Sequence, residues 1–228
     1  MDRRKRIALY GGTFDPIHLG HVEVAGRVTE LFEIDELLFV LAQLAPHKLQ
    51  RDVTPALHRY AMLALATQHT PQLAISTFEL DAPGRCYTAD TVAHFKSELG
   101  EAADLFFVMG ADSFAEITSW HEWERLLTTA NHVVVTRPGY PLAEWSMTPL
   151  LAERIVDVRG KNVDQIADQV GSNQRPRIFI TDAVMNEVSA SGIRRAVRDN
   201  APALNRMVPT PVADYIRKYR LYEDSNEN

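Results

Sequence analysis

The stretch Gly11-Gly12-Thr13-Phe14-Asp15-Pro16-Ile17-His18-Leu19-Gly20-His21 follows directly on the apolar run Ile7-Ala8-Leu9-Tyr10. It reads as a short buried strand running into a glycine turn that opens a helix. Asp15 before Pro16 is a helix-start signature, because Asp caps free N–H groups and Pro suits the first helical turn. Glycines at 11 and 12 let the backbone approach a ligand closely. A helix N-terminus adds unpaired donors and a partial positive charge, which favours an anion. His18 and His21 are three apart, so both imidazoles are expected on one face of the first turn. The stretch has neither the G-x-x-x-x-G-K-[ST] of a P-loop nor the G-x-G-x-x-G of a dinucleotide fold. A pair of histidines stands where a P-loop has its lysine. One histidine here would read as a structural residue; two beside Gly-Gly-Thr and Asp-Pro point to phosphate.

Working outward, Leu19 to Leu31 reads as helix, with Leu19, Val22, Ala25, Val28 and Leu31 sharing a face. Glu36–Leu41 is a second buried strand, which completes a βαβ unit with a right-handed crossover. Periodicity lapses from Ala42 to Thr54, around Pro46-His47-Lys48. Pro55–Thr67 resumes as helix, with Leu57, Tyr60, Met62, Leu63 and Leu65 available to the core. Leu73–Ser76 is a short strand that Phe78-Glu79-Leu80 extends or follows. Thr88 is the expected cap of a helix running to Leu99. Asp104–Met109 is a strongly apolar strand ending in Gly110-Ala111-Asp112-Ser113. Trp120–Thr129 reads as helix, His132–Thr136 as strand and Arg177–Ile180 as the last strand. Helices are expected over Ser191–Val197 and Val212–Tyr219. Residues 141–176 show only weak helical patches, around Leu150–Ile155 and Val163–Val170.

Strands alternating with helices imply a doubly wound parallel α/β sheet. Ligands in that architecture bind beyond the carboxyl ends of the strands, near the switch point. The loops Gly11–His21, Ala42–Lys48 and Gly110–Ser113 each follow a strand and are expected to meet at one rim. The expected organisation is a single domain over residues 1–222, its C-terminal helical part about 189–222, with a disordered tail at 223–228.

Of the 228 residues, 46% are hydrophobic and 24% charged, enough apolar material for a sizeable core. The formal charge of -6 argues against general nucleic-acid binding. Cys86 is the only cysteine, which excludes an internal disulfide and fits a reducing cytoplasm. The basic start Asp2–Arg6 is followed by an apolar run too short for a signal h-region or a membrane span. No two of His47, His58, His69, His94 and His132 have i, i+4 spacing, so no zinc site and no protein-held metal is expected. Oligomeric state is not legible, and a homo-oligomer stays open.

A second signal is Val188-Ser189-Ala190-Ser191-Gly192-Ile193-Arg194-Arg195. Ser189 or Ser191 can cap the following helix, and Arg194 offers a planar donor fork suited to phosphate oxygens. Alone the pattern is weak, since capping explains the serines and surface charge the arginine. Together, His-x-Gly-His in a strand–turn–helix and Ser-x-Ser-x-x-Arg near the C-terminus resemble the two signatures of the nucleotidylyltransferase superfamily. The order of Gly11–His21, Pro46-His47-Lys48, Tyr87-Thr88-Ala89-Asp90-Thr91, Gly110–Ser113, Trp120, Arg137-Pro138-Gly139-Tyr140 and Ser189–Arg194 resembles bacterial nicotinate-mononucleotide adenylyltransferases over residues 5–222. Ala190 and Gly192 depart from many relatives, while both hydroxyls and Arg194 remain.

The resemblance implies a Rossmann-like fold of the nucleotidylyltransferase type and a reaction in which ATP and nicotinate mononucleotide give nicotinate adenine dinucleotide and pyrophosphate. It implies that His18, His21, Lys48 and Arg194 act in catalysis. Gly11, Gly12, Thr13, Phe14, Gly110, Asp112, Ser189, Ser191 and Ile193 would join His18, His21 and Arg194 around ATP. Thr13, Lys48, Tyr87, Thr88, Asp112, Trp120 and His121 would meet the mononucleotide, and Mg2+ would ride on the triphosphate. From the residues themselves, Trp120 reads equally as a core tryptophan, Asp112 as a helix cap and Lys48 as an exposed cation. Other acceptors, nicotinamide mononucleotide or pantetheine phosphate, and a non-catalytic nucleotide-binding module are the competing functions.

Overall fold

The computed structural model describes residues 3–43, 53–136, 148–171, 175–182, 188–199, 201 and 203–223. Strands β1 (Lys5–Gly12), β2 (Glu36–Leu41), β3 (Leu73–Ser76), β4 (Ala103–Gly110), β5 (Asn131–Val135), β6 (Ile155–Asp157) and β7 (Ile178–Thr181) form one sheet in the order β3-β2-β1-β4-β5-β7-β6. All neighbours are parallel, with Gly12 opposite Leu41 on one side of β1 and Tyr10 opposite Val108 on the other. Helices α1 (Leu19–Leu31), α2 (Ala56–Thr67), α3 (Phe78–Asp81), α4 (Thr88–Leu99), α5 (Ala111–Ala115), α6 (Trp123–Thr129), α7 (Pro149–Arg154), α8 (Val163–Gly171), α9 (Ala190–Arg198) and α10 (Thr210–Lys218) cover its faces. Among the described residues no helix is long and apolar enough to cross a membrane.

The period-two geometry of a strand explains the layers. Along β1, Ala8 and Tyr10 enter one core with residues of α1, α2, α8, α9 and α10. Ile7 and Leu9 enter a second core with α4, α5, α6 and Leu151 of α7. Phe106 and Val108 of β4 divide from Leu105, Phe107 and Met109 in the same way. From β1 the chain proceeds to β2 and β3 on one side, then returns to β4 and β5 on the other. The switch point therefore lies between β1 and β4, and the rim there carries Gly11–Gly12 and Gly110.

Several local expectations change. Within α1 the buried residues are Gly20, Val24, Ala25, Val28 and Leu31. Leu19 and Val22 are only partly covered. On α2, Leu57 is 81% exposed and Tyr60 is exposed, whereas Arg59 is 1% exposed and shares its buried face with Met62, Leu63 and Thr67. Tyr87, not Thr88, is the N-cap of α4, and it makes no side-chain cap bond. Trp120 closes a 3-10 turn at Ile117–Ser119, and the helix starts three residues later at Trp123. The strand β6 follows α7 without a loop and pairs beside β7; at three residues it is too short for any periodicity to reveal it.

Arg59 does more than fill space. Its Nε donates to Thr54 O (2.8 Å), Nη1 to Thr13 O (2.8 Å) and Ala42 O (2.9 Å), and Nη2 to Gln43 O (3.1 Å). One buried cation thereby ties the chain leaving β1, the chain leaving β2 and the approach to α2. Arg59→Ala strands those carbonyls, and buried polar groups without partners cost about 1–3 kcal/mol each. We expect Arg59→Ala to lower the unfolding free energy in urea by about 3 kcal/mol or more. A loss below about 1 kcal/mol would mean that the carbonyls are satisfied without it.

Candidate active site

The turn after β1 is held by its carbonyl oxygens. Gly12 O accepts from Ala42 N (3.0 Å), Thr13 O from Arg59, and Asp15 O from Arg194 Nη1 (2.6 Å). No backbone N–H of Thr13, Phe14 or Asp15 is engaged among the described residues. Phe14 has a left-handed backbone (φ 47°), a costly conformation for a residue with a side chain. Its ring is buried against Tyr10, Phe39 and His21. A Cβ on residue 12 would come within 2.7 Å of that ring, which explains Gly12.

Asp15 is not the helix cap. The Asp15–Pro16 peptide is cis, and α1 begins only at Leu19, with His18 as N-cap. The Asp15 carboxylate is buried and accepts from Tyr222 Oη (2.7 Å) and Thr54 N (3.1 Å). His18 Nδ1 receives the backbone N–H of His21 at 3.4 Å, so the proton of a neutral His18 is assigned to Nε2. The two imidazoles stack, with centroids 3.7 Å apart and planes inclined by 23°. A Cβ on residue 20 would lie 3.1 Å from His18 Nδ1, so the glycine of His-x-Gly-His makes room for the stack.

Burial lowers the His18 pKa to about 4. His21 is lowered well below the ordinary range, first by burial and then by the facing His18. Both rings are therefore neutral near pH 7, and act as N–H donors instead of cations.

Helix α9 brings the second motif to this turn. Ser189 is its N-cap, accepting from Gly192 N (3.2 Å), with Ser191 Oγ 3.3 Å from Ser189 Oγ. Ile193 is fully buried and anchors the helix, which leaves Arg194 to reach Asp15 O. Leu19 N donates to Met207 O (3.0 Å), adding another tie between the start of α1 and the C-terminal region. Residues near both ends of the sequence thus share one rim.

The remaining expected residues fall into two groups. At the end of β4, Gly110 is the N-cap of α5 without a side-chain cap bond, so Asp112 is no cap; it is exposed and has no partner among the described residues. On the second helical layer the rings of Tyr87 and His121 lie 4.2 Å apart beside Thr88, the first residue of α4. Trp120 is partly buried against the second core. Lys48, with Pro46 and His47, and Arg137–Tyr140 lie outside the described residues, as do residues 224–228 of the expected tail. Sequence reasoning missed Arg59, Tyr222 and the anchoring role of Asp15. The phase of Arg59 with Met62, Leu63 and Thr67 was the available signal; Tyr222 offers none.

Among the described residues no group of three or more His, Cys, Asp or Glu side chains is arranged to hold a metal. Asp15, the buried carboxylate beside the turn, has both oxygens occupied.

Residues 9–196 match the cytidylyltransferase-like family. A Thermoanaerobacter protein described as a probable nicotinate-nucleotide adenylyltransferase is 36% identical over 228 residues, spanning 100% of this chain and 99% of its own. A Thermus thermophilus protein of the same description is 37% identical, over 95% of this chain and 99% of its own. Among solved structures, a Plasmodium falciparum nicotinic acid mononucleotide adenylyltransferase complexed with NaAD superposes with a TM-score of 0.71 at 21% identity, covering 98% of this chain and 100% of that one. The chain belongs to the cytidylyltransferase-like family and, within it, to the nicotinate-nucleotide adenylyltransferases.

Proposed function

We propose that this protein transfers the adenylyl group of ATP to nicotinate mononucleotide, giving nicotinate adenine dinucleotide and pyrophosphate. The observation that carries the reading is the 2.6 Å bond from Arg194 to Asp15 O, which joins the start of α9 to the turn bearing His18 and His21.

The mononucleotide phosphate is already largely dianionic near neutral pH, its second pKa being about 6. Its oxygen attacks the α-phosphorus of ATP, the bond to the bridging β-oxygen breaks, and that electron pair leaves with pyrophosphate. No base has to remove a proton, so rate enhancement rests on alignment and on donors that meet growing charge. Thr13 and the backbone of Phe14 offer N–H groups at the turn, and Gly11 and Gly12 let the phosphates approach the end of β1. His18 and His21 donate to ATP phosphates, with His21 nearer the reacting α-phosphate. Ser189, Ser191, the Ile193 backbone and Arg194 hold the β- and γ-phosphates at the start of α9. Lys48 closes over them, and Gly110 with Asp112 receives the ribose or adenine. Tyr87, Thr88, Trp120 and His121 form the pyridine pocket, where unpaired N–H groups at the start of α4 meet the carboxylate. Magnesium arrives as part of the Mg·ATP substrate, and no step is assigned to an ion held by the protein.

Pyrophosphate release from Mg·ATP should be fastest with nicotinate mononucleotide, when compared with its amide and with phosphopantetheine. No release with any of the three sinks the reading, and preference for the amide changes the substrate. His21→Ala should lower kcat at least about a hundredfold, the scale of losing one principal transition-state donor; near-wild-type kcat removes His21 from the mechanism.

Burial of neutral histidines also sets a pH dependence. His18 and His132 bind protons with a pKa of about 4 when folded, against the usual 6.5. Between those values the unfolded chain takes up protons that the folded one refuses, so stability is present above 6.5 and lost as pH falls toward 4. Urea titrations at steps across that window should show the decline, and a flat unfolding free energy would contradict it.

A further inference from the structure

The C-terminal end of the chain is built to reach the phosphate-binding turn. After α10 the backbone reverses through a left-handed Arg220 (φ 50°), with Leu221 N bonded to Ile216 O (3.0 Å) and Arg220 N to Arg217 O (3.3 Å). This is a Schellman ending, which fixes the direction of the residues that follow. Leu221 and Tyr222 then pack against the first core. Tyr222, itself left-handed (φ 68°), donates its hydroxyl to Asp15 Oδ1 at 2.7 Å, across 207 positions of sequence. Burial first, and the Asp15 charge second, raise its phenol pKa, so it stays protonated and remains a donor. The other Asp15 oxygen accepts from Thr54 N, and the Asp15 carbonyl accepts from Arg194. One residue, three positions before His18, therefore gathers the end of the chain, the approach to α2 and the second motif.

We infer that Tyr222 is a positioning residue for adenylyl transfer: through the Asp15 carboxylate it fixes the turn that presents His18 and His21. The inference rests on the adenylyl-transfer reading above. Tyr222 acts through Asp15, and the Thr54 side chain meets the same hydroxyl.

The test uses the full-length protein in single-turnover experiments, with Mg·ATP saturating and folded enzyme in excess over nicotinate mononucleotide at concentrations that saturate it. Tyr222→Phe removes only the hydroxyl, and Tyr219→Phe is the control, since Tyr219 is 47% exposed and its ring lies tilted against Tyr215. The first-order rate constant of Tyr222→Phe should fall about tenfold, about 1.4 kcal/mol in activation free energy, with Tyr219→Phe unchanged. This rate constant does not depend on the fraction of folded enzyme, so it reads positioning even where Tyr222→Phe is less stable. An unchanged rate constant beside a lowered urea midpoint would make Tyr222 merely structural and overturn the proposal. Wild-type protein that forms no pyrophosphate with any acceptor removes the underlying reading, and this proposal with it. Wild-type turnover beside an undiminished Tyr222→Phe rate constant removes this proposal alone.

Discussion

A turn that is to hold a polyanion with its N–H groups has to be fixed by something else. Here it is fixed by its oxygens: Gly12 O by Ala42 N, Thr13 O by Arg59, and Asp15 O by Arg194. The dipoles are thereby oriented with their positive ends unspent. Arg59 contributes through burial, because a guanidinium out of water is tolerable only when its donors are taken up. Four backbone carbonyls take them up, and in doing so they set the spacing of the β1 and β2 ends. The close approach of Phe14 to Gly12 belongs to the same arrangement, since the left-handed kink at Phe14 turns the chain toward α1 and seats the ring beneath His21.

The electrostatics follow from that packing. Two imidazoles stacked at 3.7 Å repel each other if both become cations, and burial keeps each neutral near pH 7. A neutral N–H donor binds a ground-state phosphate less tightly than a fixed cation would. Its interaction strengthens as negative charge moves onto the leaving group, the direction in which binding becomes rate enhancement. Formal positive charge at the turn comes instead from Arg194, whose Nη1 is already committed to Asp15 O. Its remaining donors keep the planar fork that suits phosphate. The overall charge of -6 has little bearing on this rim, because recognition here depends on local donors.

The layered fold and the rim were legible because they depend on periodicity and on glycine, proline and capping chemistry. Strands β2 and β3 and helix α1 have the residue ranges their apolar patterns suggest. Failures came where an interaction across the chain overrides a local rule. Asp15-Pro16 is a sound capping signal, yet the carboxylate is drawn into the core by Tyr222 and Thr54, so His18 takes the cap. Leu57 and Tyr60 looked like the core face of α2, but Arg59 is drawn inward by carbonyls that no sequence window contains, and the helix turns with it. Trp120 reads as the first residue of a helix, whereas a 3-10 turn ends at Ser119 just before it and the helix starts at Trp123. Within the site, motif residues were readable and their supports were not, since a support is defined by the distant group it meets.

That division has a consequence for how the site comes into being. The turn after β1 lies 46 positions from Arg59, 179 from Arg194 and 207 from Tyr222 along the chain. Strands β1 and β2 can pair before any of the last two anchors has been placed, and the central sheet does not require them. The full set of contacts at Asp15 does, because two of them come from α9 and from the residues after α10. Loss of the contacts from the C-terminal helices would therefore release Arg194 and Tyr222 from Asp15 without unpairing β1 from β2. Arg194 and Tyr222 meet the same residue, so whatever seats the C-terminal helices also shapes the turn they face.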